Sequence, residues 1–389
     1  MSQKLYLDVH ILQVVPPSNI NRDDTGSPKQ ARFGGVARAR VSSQSWKRAT
    51  RKEFWEGVDR VDKSTRTKRV HEVLTSRLVE RGSLEPEVAA RVATVVLGEL
   101  GLTADKKPKK GEATTSPELS YLLFFGLPQI DGLVDDVVAT GADLASLDEA
   151  GLKAALADVS AKDRLSNGHP LDVALFGRMV ADLAALNVDA AAQVAHAIST
   201  HAVNPEFDYF TAVDDEKDPS LEGDLGAAMI GTVEFNSSTL YRYATVGIHQ
   251  LSENLGGSLT DAADAVGRFV DAFVRSMPTG KQNTFANRTL PSVVVVALRS
   301  DQPVNLVSAF ENPVTGSQGL LEVSARRLAD EFLRVQEQWA TDPVAVLANY
   351  SSSLAPELEE PFGASEPFPS LVSRIVDAVR SNSSGQAGS

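Results

Sequence analysis

The 389-residue chain has no cysteine. That excludes a disulfide framework, a thiolate nucleophile and every thiolate-held zinc or iron–sulfur centre. Histidine is scarce at six, and the closest pair, His196 and His201, stands five apart, whereas a spacing of four puts two ligands on one helical face. Any metal would need His or carboxylate ligands. No apolar run approaches the roughly eighteen residues of a membrane span. The opening MSQKLYLDVHILQVV has neither a basic segment ahead of an apolar core nor a small-residue cleavage site, so the expectation is a cytoplasmic protein with no membrane partner. Familiar enzyme signatures are missing too: there is no GxSxG and no GxGxxG after a strand. At Gly280-Lys281 a phosphate-loop reading fails on Arg275, where glycine is needed, and on Gln282, where Ser or Thr is.

What is present is ordinary globular composition, 42% hydrophobic and 23% charged, on a length that allows two or three domains or one enlarged by insertions. The net charge of −13 argues against a generally basic nucleic-acid binder, but the charge is uneven. Residues 1–81 carry a net +8 and the remainder −21. From Arg22 to Glu53, nine basic residues meet three acidic ones. A solvated helix face is the commoner meaning of such a run; a locally cationic binding surface is the other.

The residues 4–15 alternate, with Leu5, Leu7, Val9 and Ile11 on one side, which predicts a half-buried strand. The Pro-, Asn-, Asp- and Gly-rich stretch that follows predicts a long loop. A basic strand at Arg38–Ser42 then feeds a helix over Gln44–Trp55, with Ser42 or Ser43 as its N-cap. Helical patterns over 67–81, 86–100 and 133–156 make residues 55–170 a helical insertion, with an exposed linker over 104–117. Farther on, the patterns predict a strand over 172–179, an Ala-rich helix over 188–198, and two extended segments, 203–213 and 232–246, forming a protruding hairpin. A helix over 261–275, a loop over 279–290, a buried strand over 293–298, helices over 320–339 and 371–379, and a disordered tail over 381–389 complete the reading.

The helix opening Ser42-Ser43-Gln44 offers unpaired backbone N–H groups and the positive end of its dipole, and Lys47, Arg48 and Arg51 share one face. That arrangement suits phosphates, and phosphate contacts hold a nucleic acid without reading its bases. Two other readings stand beside it. A metal-dependent nuclease or RNA-processing enzyme would use His10, His201 or the carboxylates Asp214, Asp215, Glu216 and Asp218, although such a cluster in a Pro- and Gly-rich loop more often is a solvated tip. A scaffold that binds only protein would use none of these.

An ordered set of motifs spread over about 300 residues carries a resemblance: NRDD at 21–24, FGG at 33–35, VSSQSWKRATR at 41–51, DVALFGRM at 172–179, HAISTH at 196–201, FDYFTAVDD at 207–215, EFNSSTLYRYA at 234–244, GKQNTFA at 280–286 and SAFENPV at 308–314. The chain resembles the type I-E CRISPR Cascade backbone subunits, the CasC family. The resemblance implies an α+β fold: an RRM-like (ferredoxin-like) palm with an inserted helical fingers domain and a protruding β-hairpin thumb. The palm would take residues 1–54, 171–200 and 233–300, the fingers 55–170 and the thumb 201–232, with a C-terminal helical region at 301–380. It also implies a subunit without chemistry or cofactor that polymerises, as about six copies, along guide crRNA, pairs the guide with target DNA in short segments, and meets the other Cascade subunits CasA, CasB, CasD and CasE. Position by position, Lys47, Arg48 and Arg51 would hold guide phosphates, with Ser42 and Ser43 at the helix start and Arg22, Arg38, Arg40 and Lys281 in support. Met179 would wedge against a kinked nucleotide, and Tyr209, Phe210 and Ile230 on the thumb would stack at the interrupted duplex.

Overall fold

The computed structural model describes residues 4–56, 63–101, 117–181, 183–212, 229–316 and 319–384. Two compact units emerge, one of Met1–Phe54, Gln193–Ile248 and Ala263–Ser389, the other of Trp55–Ala192 and His249–Ala262. Residues 171–192, expected in the palm, thus belong with the helical insertion.

Along the chain the strands are β1 (Tyr6–Ser18), β2 (Gln30–Phe33), β3 (Val36–Val41), β4 (Ser64–Thr67), β5 (Leu123–Gly126), β6 (Ala192–Val194), β7 (Ala197–Ser199), β8 (Glu206–Ala212), β9 (Met229–Gly247), β10 (Val293–Arg299) and β11 (Ala345–Tyr350). Nine of them form one sheet in the order β11-β10-β1-β9-β7-β3-β2, with β6 and β8 also paired to β9. Neighbours along that order are antiparallel. The fold is therefore α+β, as expected.

β1 is central, and both of its faces are buried, which corrects the half-buried expectation. On one face, Arg242 of β9 lies over Trp46 of the helix Ser43–Phe54 and over Phe273 of the helix Leu259–Arg275. On the other, Leu12, Tyr241, Tyr243 and alternate residues of β10 pack against Leu328 and Phe332 of the helix Leu321–Trp339. That second layer comes from the far end of the chain, so local alternation could not announce it. Its polar members satisfy one another: Tyr243 donates to Asp8 Oδ1 (2.8 Å), the Val304 N–H to Asp8 Oδ2 (2.9 Å), and Tyr241 Oη lies 2.9 Å from His10 Nδ1. Burial raises the Asp8 carboxyl to about 6 and lowers the His10 imidazole to about 3.

Other expectations also change. The C-terminal region is not purely helical, because Ala345–Tyr350 extends the sheet. The helix Phe368–Ser384 reaches into the expected tail, the rest of which lies outside the described residues. The Ala-rich segment 188–198 contributes β6 and β7 instead of a helix; Ile198 pairs with Tyr241 and Arg40, so tertiary pairing overrides alanine's helical preference.

The second unit has its own core of Leu, Val and Phe side chains, among them Leu74, Val92, Phe125, Leu133 and Leu165. These come from the helices Val70–Glu80, Pro86–Val96, Leu127–Ala139 and Ala161–Ser166 and from the antiparallel β4–β5 pair. The segment expected as a strand over 172–179 starts as a short helix, Leu171–Phe176. A short, mostly apolar run such as LDVALF does not distinguish the two by period. Gly177 stops it at φ +73°, where a Cβ would lie 2.7 Å from the Val188 carbonyl oxygen.

Candidate nucleic-acid interface

The basic helix is amphipathic in a way that sorts its cations. Trp46, Ala49, Thr50 and Phe54 turn inward at helical spacing. Arg48 and Lys52 are consequently exposed, while Lys47 and Arg51, one turn apart, flank the buried face half-exposed. Partial burial lowers the Lys47 ammonium from its usual value. Ser42 caps the helix: its Oγ accepts from the Ser45 N–H at 3.3 Å, and its own N–H donates to Asn21 Oδ1 at 2.8 Å. Helix-dipole and side-chain charge therefore reinforce one another at this end.

Three further segments converge on it within the first unit. Asn21 belongs to the loop that carries exposed Arg22, and Asn19 in the same loop donates to the carbonyls of Gly26 and Glu234, both at 2.9 Å. Glu234 stands at the root of the β8–β9 hairpin. Gly280 packs so closely on this loop that a Cβ would come within 2.5 Å of the Ile20 carbonyl oxygen, and the adjoining Lys281 adopts φ +50°. Phe285, one turn on, meets Phe235 ring to ring at 5.7 Å. Lys29 and Arg40 lie alongside, their backbones joined by the Arg40 N–H to Lys29 oxygen bond of 2.9 Å. Arg22, Arg40, Ser42, Ser43, the basic helix and Lys281 are in this way tied to one set of interlocked loops.

Arg38 is a correction. It is fully buried and spends its guanidinium on backbone carbonyls: those of Phe33 (3.2 Å), Ser199 (3.0 Å), Phe310 (2.8 Å) and Glu311 (3.2 Å). It cannot also bind a phosphate at the surface. Gly34 serves the same junction. At φ +59° its Cβ position coincides with the Glu311 carbonyl, so no side chain fits there. Two of the motifs, FGG and SAFENPV, are thereby explained by packing.

The hairpin is observed, with β8 antiparallel to the first half of β9. Its alternation separates two residues that the sequence reading grouped. Phe207 pairs with Glu234, Tyr209 with Thr232 and Phe210 with Gly231, so Phe207 and Tyr209 share one face while Phe210 lies on the other. Phe207 and Tyr209 are 66% and 64% exposed. Phe210 is less so at 39%, because its ring lies across Gly231, within 2.3 Å of where a Cβ would stand. Ile230 pairs with Thr211 through its backbone; its side chain, like the Asp214–Asp218 cluster, lies outside the described residues. In the second unit, Met179 is 86% exposed and borders a cleft of about 580 Å³ with Leu122, Phe176 and Arg66, whose guanidinium lies over the Phe124 ring.

The two histidines named for metal chemistry are otherwise engaged. His201 donates from Nδ1 to the Ala202 carbonyl and accepts the Thr239 N–H at Nε2, and His10 is buried against Tyr241. Among the described residues no three His, Asp or Glu side chains are placed to hold an ion. Sequence reasoning passed over two surface residues, Phe207 and His196. Period-two counting along FDYF would have found the first; the second accepts the Ser43 N–H at 3.2 Å, a contact across 153 positions.

The cationic helix start, the glycine-lysine loop and the root of the aromatic hairpin thus share one set of loops on an antiparallel α+β unit. Residues 7–374 match the family model described as CT1975-like protein, and the chain belongs to that family. It is similar to a chain of a solved "CRISPR RNA-guided surveillance complex, pre-nicking", at 33% identity over 96% of this chain and all of that one, with a TM-score of 0.81. A chain of a second "CRISPR RNA-guided surveillance complex" matches at 30% identity over 96% of this chain and 99% of that one, with a TM-score of 0.69. No curated protein matches. The resemblance to the Cascade backbone subunits, drawn from the motifs, is upheld.

Proposed function

We propose that the chain is a non-catalytic, RNA-binding backbone subunit of a type I-E Cascade complex, holding guide crRNA by its phosphates. The observation that carries this is the convergence of Lys47, Arg48, Arg51, Arg22, Arg40 and Lys281 around one capped helix start, on a chain that is otherwise acidic. A cationic surface confined to one face attracts the polyanion while the rest of the molecule repels it. The sheet supports an RRM-like palm: β1, the basic helix, β7, β9, the helix Leu259–Arg275 and β10 follow one another, and the strands lie in the order β10-β1-β9-β7, the ferredoxin-like arrangement. The β8–β9 hairpin is the thumb, and Phe207 with Tyr209 is its stacking face. By the resemblance, about six copies follow one guide, interrupt its pairing with target DNA, and dock on CasA, CasB, CasD and CasE.

The test is the chain purified under conditions that retain nucleic acid. The proposal expects a raised 260 to 280 nm absorbance ratio, from RNA of uniform length that survives DNase and is lost with RNase. A protein free of nucleic acid, or metal-dependent cleavage of added RNA, would contradict it.

A further inference from the structure

We propose that His196 contacts the RNA backbone as a neutral imidazole whose single proton is fixed on Nε2. The contact rests on the RNA-binding reading above; the fixed tautomer does not.

The geometry decides the tautomer. The Ser43 N–H donates to His196 Nδ1 at 3.2 Å, and Arg40 Nη1 stands 3.5 Å from the same nitrogen. An amide N–H and a guanidinium can only donate. Nδ1 must therefore keep its lone pair, and the proton of the neutral ring sits on Nε2, at the opposite edge. The residue is exposed, so Nε2–H is available as a donor beside the phosphate-binding cations.

The groups around the ring keep it neutral. Lys29 precedes β2, Arg40 lies on β3, and the helix Ser43–Phe54 points its positive end at Nδ1; none of these is acidic. Protonation would add a cation to two others and turn an acceptor into a donor facing the Ser43 N–H. Burial, and then the charges of Arg40 and Lys29, accordingly hold the imidazole below its ordinary range. An ordinary surface histidine gains charge, and with it phosphate affinity, near pH 6.5. His196 instead supplies a directional donor that releases no counterion. The acceptor is a phosphate oxygen or a ribose hydroxyl, which share this chemistry.

The experiment is a long-range ¹⁵N–¹H correlation on the full chain labelled at histidine, from pH 6 to 8, with and without oligouridine. His196 should be neutral with Nε2 protonated at pH 7 and above, its titration should fall below that of an ordinary histidine, and its Nε2 resonance should move on saturation with RNA. A shift of equal size with oligothymidylate identifies phosphate as the acceptor; a shift with RNA alone identifies the ribose hydroxyl. His196→Ala should weaken oligouridine binding about tenfold, as loss of a hydrogen bond to an ionised or polar acceptor does, and leave its salt slope at the wild-type value. Arg40→Ala should instead flatten the slope by about 0.7. A proton on Nδ1, an imidazolium at pH 7, or an Nε2 resonance indifferent to bound RNA would overturn the proposal. Salt-dependent binding with an indifferent His196 sinks this inference alone; no binding of any RNA sinks the RNA-binding reading with it.

Discussion

The hairpin makes the sharpest separable prediction, because its two faces are occupied differently. Phe207 and Tyr209 lie side by side on one face with about two-thirds of each residue exposed, whereas Phe210 is drawn across Gly231 on the other. A base stacked on an aromatic ring contributes about 1–3 kcal/mol, so each ring of the exposed pair is worth about 5- to 150-fold in capture of a complementary strand. Phe207→Ala with Tyr209→Ala should therefore leave assembly on the guide intact and weaken target capture by at least about 30-fold. Phe210→Ala removes a ring that covers hairpin backbone; it should loosen the hairpin and cost target capture less than the pair. The assay sizes the guide-loaded particle of each variant and then titrates complementary DNA. Wild-type capture by the double variant, or a Phe210→Ala defect as large as that of the pair, would refute the assignment of faces.

Two predictions concern the framework. Gly34→Ala must place a methyl where the Glu311 carbonyl stands at a φ of +59°, so its destabilisation in urea unfolding should exceed the roughly 1–2 kcal/mol of left-handed backbone strain alone; a smaller loss would show that the FGG turn is not locked on Glu311. His10 and Asp8 give opposing pH dependences. His10, depressed to about 3, binds its proton only in the unfolded chain between pH 3 and 6.5, so it removes stability as pH falls through that window. Asp8, raised to about 6, binds its proton preferentially in the folded chain, so it adds stability as pH falls from 6 to 3.8 and loses it as pH rises. His10→Gln abolishes the first effect, and its stability relative to wild type should climb by on the order of 3 kcal/mol between pH 6 and 4; a difference independent of pH would contradict the buried, neutral His10.

The legible features were local ones. The capped basic helix, the strand at the N-terminus and the hairpin announce themselves through period, capping residues and β-branched or aromatic runs, and each is found within a few residues of its expected limits. Features set by distant partners were not legible. Arg38 looks like its neighbours Arg32 and Arg40 in sequence, and only carbonyls at 199, 310 and 311 take it out of the surface. The second buried face of β1 depends on a helix more than 300 residues away. Segment 188–198 has the composition of a helix and the partners of a strand. Within the site, the cations on the helix could be named from spacing alone, but the joining of Gly280-Lys281 to the Asn19–Arg22 loop, and of His196 to Ser43, required the fold.

The central claim is that the surface at the start of the basic helix holds RNA by its phosphates, and the salt dependence of binding tests it most directly. Binding constants for a single-stranded RNA, measured across salt concentrations for wild type and for Lys47→Ala with Arg51→Ala, give two slopes of log K against log salt. Each lost phosphate contact on single-stranded RNA removes about 0.7 from the slope. The account predicts that the double variant binds all sequences more weakly and has a slope shallower by about 1.4; a variant whose slope equals that of wild type would contradict it.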